Sequence, residues 1–202
     1  IQMGAERLSK LVNEVLNLSR LESGQQSFAM QKTTLKQTIE NCVGAVQSLT
    51  KDKDITLIVK DPDVYGACVF DQDRITQVLT NIIGNAVKFT PRGKHIWVEY
   101  EESETNPFGM KRPMLSVSVH DEGVGIPDEE LDKIFDSFVQ STRTNDGTGG
   151  TGLGLAIRRN ILRAHEGFIF ASNNDKGGAS FTFMFPRNLK EGNRVIDMQS
   201  AA

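Results

Sequence analysis

Between Gln77 and Pro91 the chain reads QVLTNIIGNAVKFTP, and no other stretch constrains the fold as strongly. Ile75, Val78, Leu79, Ile82, Ile83, Ala86 and Val87 recur at the spacing of one helical stripe, so they face a core. Gln77, Asn81, Asn85 and Lys88 fall on a neighbouring stripe, spaced by one helical turn. Asparagine is a poor helix former because its amide competes with the backbone for hydrogen bonds. Two of them beside a core are either a solvated polar face or part of a site, and the stripe alone leaves both readings open. Asp71 is placed to cap the helix start, and Thr90-Pro91 followed by Gly93 ends it.

Size and charge narrow what surrounds this helix. The 202 residues suffice for one full domain and a short extra element. A net charge of −3 argues against a nucleic-acid backbone as the main partner. No apolar run is long enough to cross a bilayer, and none has the pattern of a signal peptide, so membrane contact is not expected. Cys42 and Cys68 match no metal-ligand spacing, which fits reduced thiols in a cytoplasmic compartment. The chain starts inside a helical pattern without a cap, as expected of a fragment of a longer protein.

Residues 1–22 form a patterned helix in which Leu8, Leu11, Val15 and Leu18 alternate three and four apart. Such a face is expected to pair in a coiled coil or four-helix bundle, the alternative being packing on its own domain. Ser23-Gly24 ends it, and the polar stretch 25–34 reads as a linker. A helix over 35–49 and strands at 55–59 and 67–70 follow, with a turn at Asp61-Pro62-Asp63. After the central helix come strands at 96–100 and 114–120 around a hairpin loop at 103–113, a short helix at 128–135, and a polar loop at 137–150. A helix over 153–165 and strands at 168–171 and 180–185 complete the pattern, and the tail from 188 is expected to be loose. The order predicts an α+β fold, a two-layer sandwich of one mixed sheet with helices on one face, preceded by a long amphipathic helix.

Two glycine clusters carry the chemistry. Asp121-Glu122-Gly123-Val124-Gly125-Ile126 follows a strand, where a carboxylate beside a tight turn can accept from a ligand or simply end the strand. Gly149-Gly150-Thr151-Gly152-Leu153-Gly154-Leu155 opens a helix, where exposed N–H groups and the dipole favour an anion. There is no Walker-type loop. Gly147, Gly149 and Gly152 fit G-x-G-x-x-G, but STRTND before them is no strand and no acidic residue ends a second strand.

Taken in order, these features resemble the catalytic ATP-binding domain of bacterial sensor histidine kinases, in the Bergerat-type superfamily shared with type II topoisomerases, mismatch-repair proteins and a chaperone. The resemblance covers about Leu8 to Pro186: TNIIGNAVKFTP is similar to the asparagine box, DEGVGI and GGTGLGL to the two glycine boxes, and IFDSF to the phenylalanine box. Residues 5–24 resemble the second helix of the family's dimerisation and phosphoacceptor bundle. The implied domains are the partial bundle helix at 1–24, a linker at 25–34, the catalytic domain at 35–187 and the tail at 188–202.

The resemblance implies ATP and Mg²⁺ as cofactors. Asn85 would bind the metal through its side-chain oxygen, as suits a hard cation. Asn81 and Lys88 would lie at the phosphates, Phe89 near the adenine and Phe138 at the nucleotide, and Asp121 would accept from the adenine amino group. Gly123 and Gly125 would make room for the base, and Ile126 would also bind the nucleotide. Gly152 and Gly154 would place N–H groups at the phosphates and Thr151, Leu153 and Leu155 would also bind the nucleotide, under a lid at 138–151 whose cation, Arg143, either reaches the γ-phosphate or is a solvated loop residue. Hydrolysing relatives carry a glutamate where this chain has Asn81, an amide that cannot take a proton. Transfer to a nucleophile is therefore expected rather than efficient hydrolysis. The family's acceptor histidine has a His-acidic-x-x-x-Pro setting that His95, His120 and His165 all lack. The implied partners are the kinase's own acceptor helix, a response-regulator receiver domain, and a second copy through residues 1–24. The competing readings are a clamp-type ATPase and a degenerate ATP-binding domain used for docking.

Overall fold

The computed structural model describes residues 2–60, 66–144 and 150–195, without the side chains of 2–4, 6, 7 and 10. In chain order the elements are α1 (Gln2–Glu22), β1 (Ser27–Thr33), α2 (Leu35–Asp52), β2 (Thr56–Val59), β3 (Cys68–Phe70) and α3 (Gln72–Phe89). They continue with β4 (His95–Thr105), β5 (Lys111–Asp121), 3-10 turns at Asp128–Glu130 and Lys133–Phe135, α4 (Gly154–Ala164), β6 (Phe168–Asn173), β7 (Ala179–Pro186) and β8 (Gly192–Val195). The turn expected at Asp61-Pro62-Asp63 lies outside the described residues.

A mixed sheet in the order β2-β4-β5-β7-β6 forms one layer, with β2 parallel to β4 and the other pairs antiparallel. Register assigns its faces. Ile96, Val98 and Tyr100 lie opposite Asp121, Val119 and Val117, and Val117 and Leu115 lie opposite Phe183 and Phe185. These apolar residues are buried in one cluster with Ile75, Val78, Leu79, Ile82 and Ile83 of α3 and with Ile157 and Ile161 of α4. The α+β sandwich read from the element order is the fold observed. The period-2 rule also puts Asp121 at the end of the inward row Leu115, Val117, Val119, so the carboxylate enters the core layer rather than solvent.

Several local expectations are corrected. Residues 25–34 are not simply a linker, because β1 pairs with β3 and β8 in a second, antiparallel sheet of order β3-β1-β8. Phe28 and Met30, two apart, are buried while their neighbours are exposed. The stretch is polar on average, yet its alternation matches the face that the sheet buries. The tail is not loose through 195, since β8 pairs with β1 and Leu189 is buried. The β4–β5 hairpin runs on to Thr105 and Lys111, which shortens the expected loop. The short helix at 128–135 is two 3-10 turns.

The first helix packs on its own domain along only part of its apolar stripe. Near its C-terminal end Leu18 and Leu21 are buried against the domain, and α1 packs on α4. Leu8, Val12, Val15 and Leu16 stay exposed.

A buried polar node ties the helices to β1. Asp71 Oδ1 accepts the Arg74 N–H at 3.0 Å as the expected cap of α3, while Oδ2 accepts from Ala29 N at 2.8 Å. His165 Nε2 accepts from Asp71 N at 3.1 Å, and Nδ1 donates to the Ile161 carbonyl at 2.8 Å. These partners require the neutral ring, and burial pulls the His165 pKa down. An unfolded histidine takes a proton near pH ~6.5. Below that pH the unfolded chain binds a proton that the folded one refuses, so the stabilisation is complete above ~6.5 and lost as pH falls towards the folded pKa. His120, also held low by burial, adds to the same slope. The melting temperature is expected to be flat from pH 8 to 7 and to fall from 6.5 to 5, by about 2–4 °C per kcal/mol lost. A melting temperature constant across that window would refute the assignment.

Candidate functional site

The polar stripe of α3 opens into a cavity of about 260 Å³. Asn81, Asn85, Lys88 and Phe89 line it together. The Lys88 ammonium lies over the Phe89 ring, 4.9 Å from its centroid, a cation–π pair at the mouth. Asn81 Oδ1 is buried and has no partner among the described residues. An orphan amide oxygen in a polar cavity is a ready acceptor for a water or ligand of hard cations. Gly154 lets Asn81 in, because a Cβ there would stand 3.2 Å from Asn81 Nδ2.

Asp121 forms the opposite end. It is 5% exposed, and its Oδ1 accepts from Gly123 N at 2.8 Å and Ala179 N at 3.1 Å. Burial raises its pKa, and those two N–H groups oppose the rise. Both of these N–H donors reach the same oxygen, Oδ1. Beneath lies a separate apolar cluster of Ile126, Ile134, Phe135 and Ala179, an apolar floor beside one carboxylate. Gly125 and Ile126 line the cavity, whereas Gly123 supports it from behind: a Cβ at Gly123 would stand 2.9 Å from the Phe89 carbonyl oxygen.

From the second glycine cluster Gly150, Thr151, Gly152, Gly154 and Leu155 line the cavity, at the N-terminal end of α4 where backbone N–H groups are unpaired. Leu153 is fully buried and anchors this turn in the main core instead. Gly152, at φ 74, packs its Cα on the Phe138 backbone, and Phe138 N donates to its carbonyl at 3.0 Å. The Phe138 side chain is 65% exposed and not at the cavity. Arg143 is also outside it, donating to the Val124 carbonyl at 2.9 Å. Glu130 accepts from Thr142 N and Oγ1, which fixes the start of the expected lid. Residues 145–149 of that lid, with Gly147 and Gly149, lie outside the described residues.

Sequence reading missed two contributors. The β6–β7 turn clamps the Asp121–Ile126 loop. Asn173 pairs both ways with the Ile126 backbone at 2.8 and 2.7 Å, and Asn174 Nδ2 donates to the Asp121 carbonyl at 2.9 Å. A Cβ at Gly178 would stand 2.0 Å from that carbonyl oxygen, so only glycine fits. The adjacent Asn pair in a Gly-Gly turn was the available signal. Glu14 of α1 is the second. It lines the cavity and accepts from the Thr151 hydroxyl, and nothing in the sequence of a separate helix points there.

The lining charges are Lys88 against Glu14 and Asp121. Among the described residues no group of three His, Cys, Asp or Glu could hold a metal. Among the described residues, no helix is long and apolar enough to cross a membrane.

Residues 70–189 match the family described as histidine kinase-, DNA gyrase B-, and HSP90-like ATPase. The chain is 36% identical to the sensor histidine kinase WalK of Bacillus subtilis (strain 168), over 92% of its own length and 29% of WalK. It thus spans under a third of the length of that curated relative. Among solved structures it resembles full-length ShkA in complex with AMPPNP, at TM-score 0.76 and 25% identity, covering 94% of this chain and 38% of that one. It also resembles histidine kinase ThkA in complex with response regulator protein TrrA, at TM-score 0.71 and 25% identity, covering 92% of this chain and 49% of that one.

Proposed function

The chain belongs to the histidine kinase-, DNA gyrase B-, and HSP90-like ATPase family, and on that premise we propose that it is the ATP-binding, phosphoryl-donating module of a cytoplasmic sensor histidine kinase portion. The observation that carries the proposal is the convergence on one cavity of the Asn81-Asn85-Lys88 stripe, the buried Asp121 carboxylate and the N-terminal end of α4. An apolar floor with one acceptor suits adenine, and a cation with free N–H groups suits phosphates.

In this reading Oδ2 of Asp121 accepts from the adenine amino group over Ile126 and Ala179. Lys88 and the amides at Gly152 and Gly154 hold the phosphates. The amide oxygens of Asn85 and Asn81 suit Mg²⁺, which when bound would offset phosphate charge. Asn81 has no basicity with which to activate water, so the γ-phosphoryl group waits for a nucleophile. That nucleophile is a histidine on the first helix of a dimeric bundle, to which α1 contributes through its exposed Leu8, Val12, Val15 and Leu16. A response-regulator receiver domain then takes the phosphoryl group. Arg143 and Phe138 join the site only if the lid moves from the arrangement described above.

The test is incubation with Mg-ATP and a supplied bundle domain, with phosphohistidine mapped by mass spectrometry. Phosphate is expected on the bundle histidine, and ATP hydrolysis by the chain alone is expected to stay below ~1 s⁻¹, the low end of ordinary turnover. Faster hydrolysis without an acceptor would favour a clamp-type ATPase and sink the proposal.

A further inference from the structure

Lys53 stands at the C-terminal cap of α2 and is not among the residues that line the cavity. Its Nζ donates to three carbonyl oxygens at once: Val87 at 2.7 Å, Lys88 at 3.0 Å and Thr90 at 2.9 Å. An ammonium has three donors, so all of them are spent on the last turn of α3 and its exit. That end carries the negative pole of the helix dipole and carbonyls with no intrahelical partner. The turn around Lys53 is built to face this way. Asp54 takes the left-handed conformation at φ 52, which a non-glycine residue rarely adopts. Gly93 N donates to the Asp54 carbonyl at 3.0 Å and Arg92 Nη1 to the Asp52 carbonyl at 2.7 Å, so both chain reversals are stitched together.

The turn held by this ammonium carries Lys88 and Phe89, both of which line the cavity. The Phe89 carbonyl in turn abuts Gly123, within 2.9 Å of where a Cβ would stand. We propose that Lys53 is a positioning residue for the nucleotide site: its ammonium locks the end of α3, with Lys88 and Phe89, against the Asp121–Ile126 loop. It touches no ligand, since it does not line the cavity and has no donor left. The proposal rests on reading the cavity as a nucleotide site. Arginine would keep the charge, but no nitrogen of its planar fork carries three N–H groups, so it cannot serve three carbonyls from one atom.

The experiment measures AMPPNP affinity by calorimetry for the wild type, Lys53→Met, the milder Lys53→Gln and Lys53→Arg, with amide hydrogen exchange on each. Lys53→Met is expected to weaken AMPPNP about tenfold, the order of a charged hydrogen-bond set made indirectly, and Lys53→Arg by about threefold. Exchange should quicken at Lys88–Thr90 while the amides of β5 and α4 keep their protection. If Lys53→Met does not fold, Lys53→Gln is read by the same criteria. Wild-type affinity in a folded Met or Gln variant overturns the proposal alone, as does exchange that quickens throughout the domain. A wild-type chain that does not bind AMPPNP overturns the nucleotide reading and this proposal with it.

Discussion

Asn85→Ala is expected to abolish phosphoryl transfer to a supplied acceptor domain, by at least ~100-fold, while the protein stays folded. Removing one preorganised group that stabilises transferring charge costs on the order of 10²–10³ in rate, and Asn85 is the oxygen on α3 proposed to hold Mg²⁺. The fold should tolerate the change for a geometric reason. Asn85 is half-buried on the cavity wall, whereas the core stripe of α3 is Ile75, Val78, Leu79, Ile82, Ile83, Ala86 and Val87. Truncating it opens no void in the core, and alanine is the better helix former. Circular dichroism and melting temperature should therefore match or exceed the wild type, while transfer followed with labelled ATP disappears. A variant that transfers at the wild-type rate would remove Asn85 from the site. A variant that unfolds would mean that the residue is structural.

Asp121 should make this site choose ATP over GTP by roughly a hundredfold or more. Adenine offers an amino group where guanine offers a carbonyl oxygen. A hydrogen bond to a charged acceptor contributes about 1.5–3 kcal/mol, and an unpaired buried polar group costs about 1–3 kcal/mol. At ~1.4 kcal/mol per factor of ten, the two together reach that ratio. The structure sharpens the choice of variant. Oδ1 of Asp121 already accepts from Gly123 and Ala179, so Asp121→Ala would strand two backbone N–H groups as well as remove the base contact. Asp121→Asn keeps an oxygen for those amides and turns an NH₂ donor towards the base. In competition binding, Asp121→Asn should lose ATP affinity and narrow the ATP–GTP gap at least ~10-fold, with little change in melting temperature. Equal wild-type affinity for the two nucleotides would mean that Asp121 is a strand-end turn residue and that the base lies elsewhere.

Much of this was legible in the sequence because it rests on local periodicity. A 3.6-residue stripe defines which face of α3 is core, and the leftover stripe puts Asn81, Asn85 and Lys88 on one common face, which the folded chain turns into a cavity wall. The Asp71 cap, the proline stop and the strand feeding Asp121 are equally short-range. Glycine density at Gly150–Gly154 marked a helix start beside the same cavity.

What sequence could not supply depends on contacts between residues distant along the chain. Whether Ser27–Thr33 is a linker or a strand was decided by β3 and β8, which satisfy its backbone from 35 to 168 residues away, as in Thr33↔Cys68 (35 apart) and Ser27↔Val195 (168 apart). The same holds for Glu14 reaching Thr151, and for Asn173 and Asn174 clamping the Asp121 loop. Phe138 and Arg143 were both expected at the site, yet neither lines the cavity, because a loop residue's direction follows from its packing and not from its spacing. Periodicity fixes which way a helix or strand residue faces. Only the folded chain fixes what it faces, since each distant contact forms only when ordering two segments is repaid by the groups that meet.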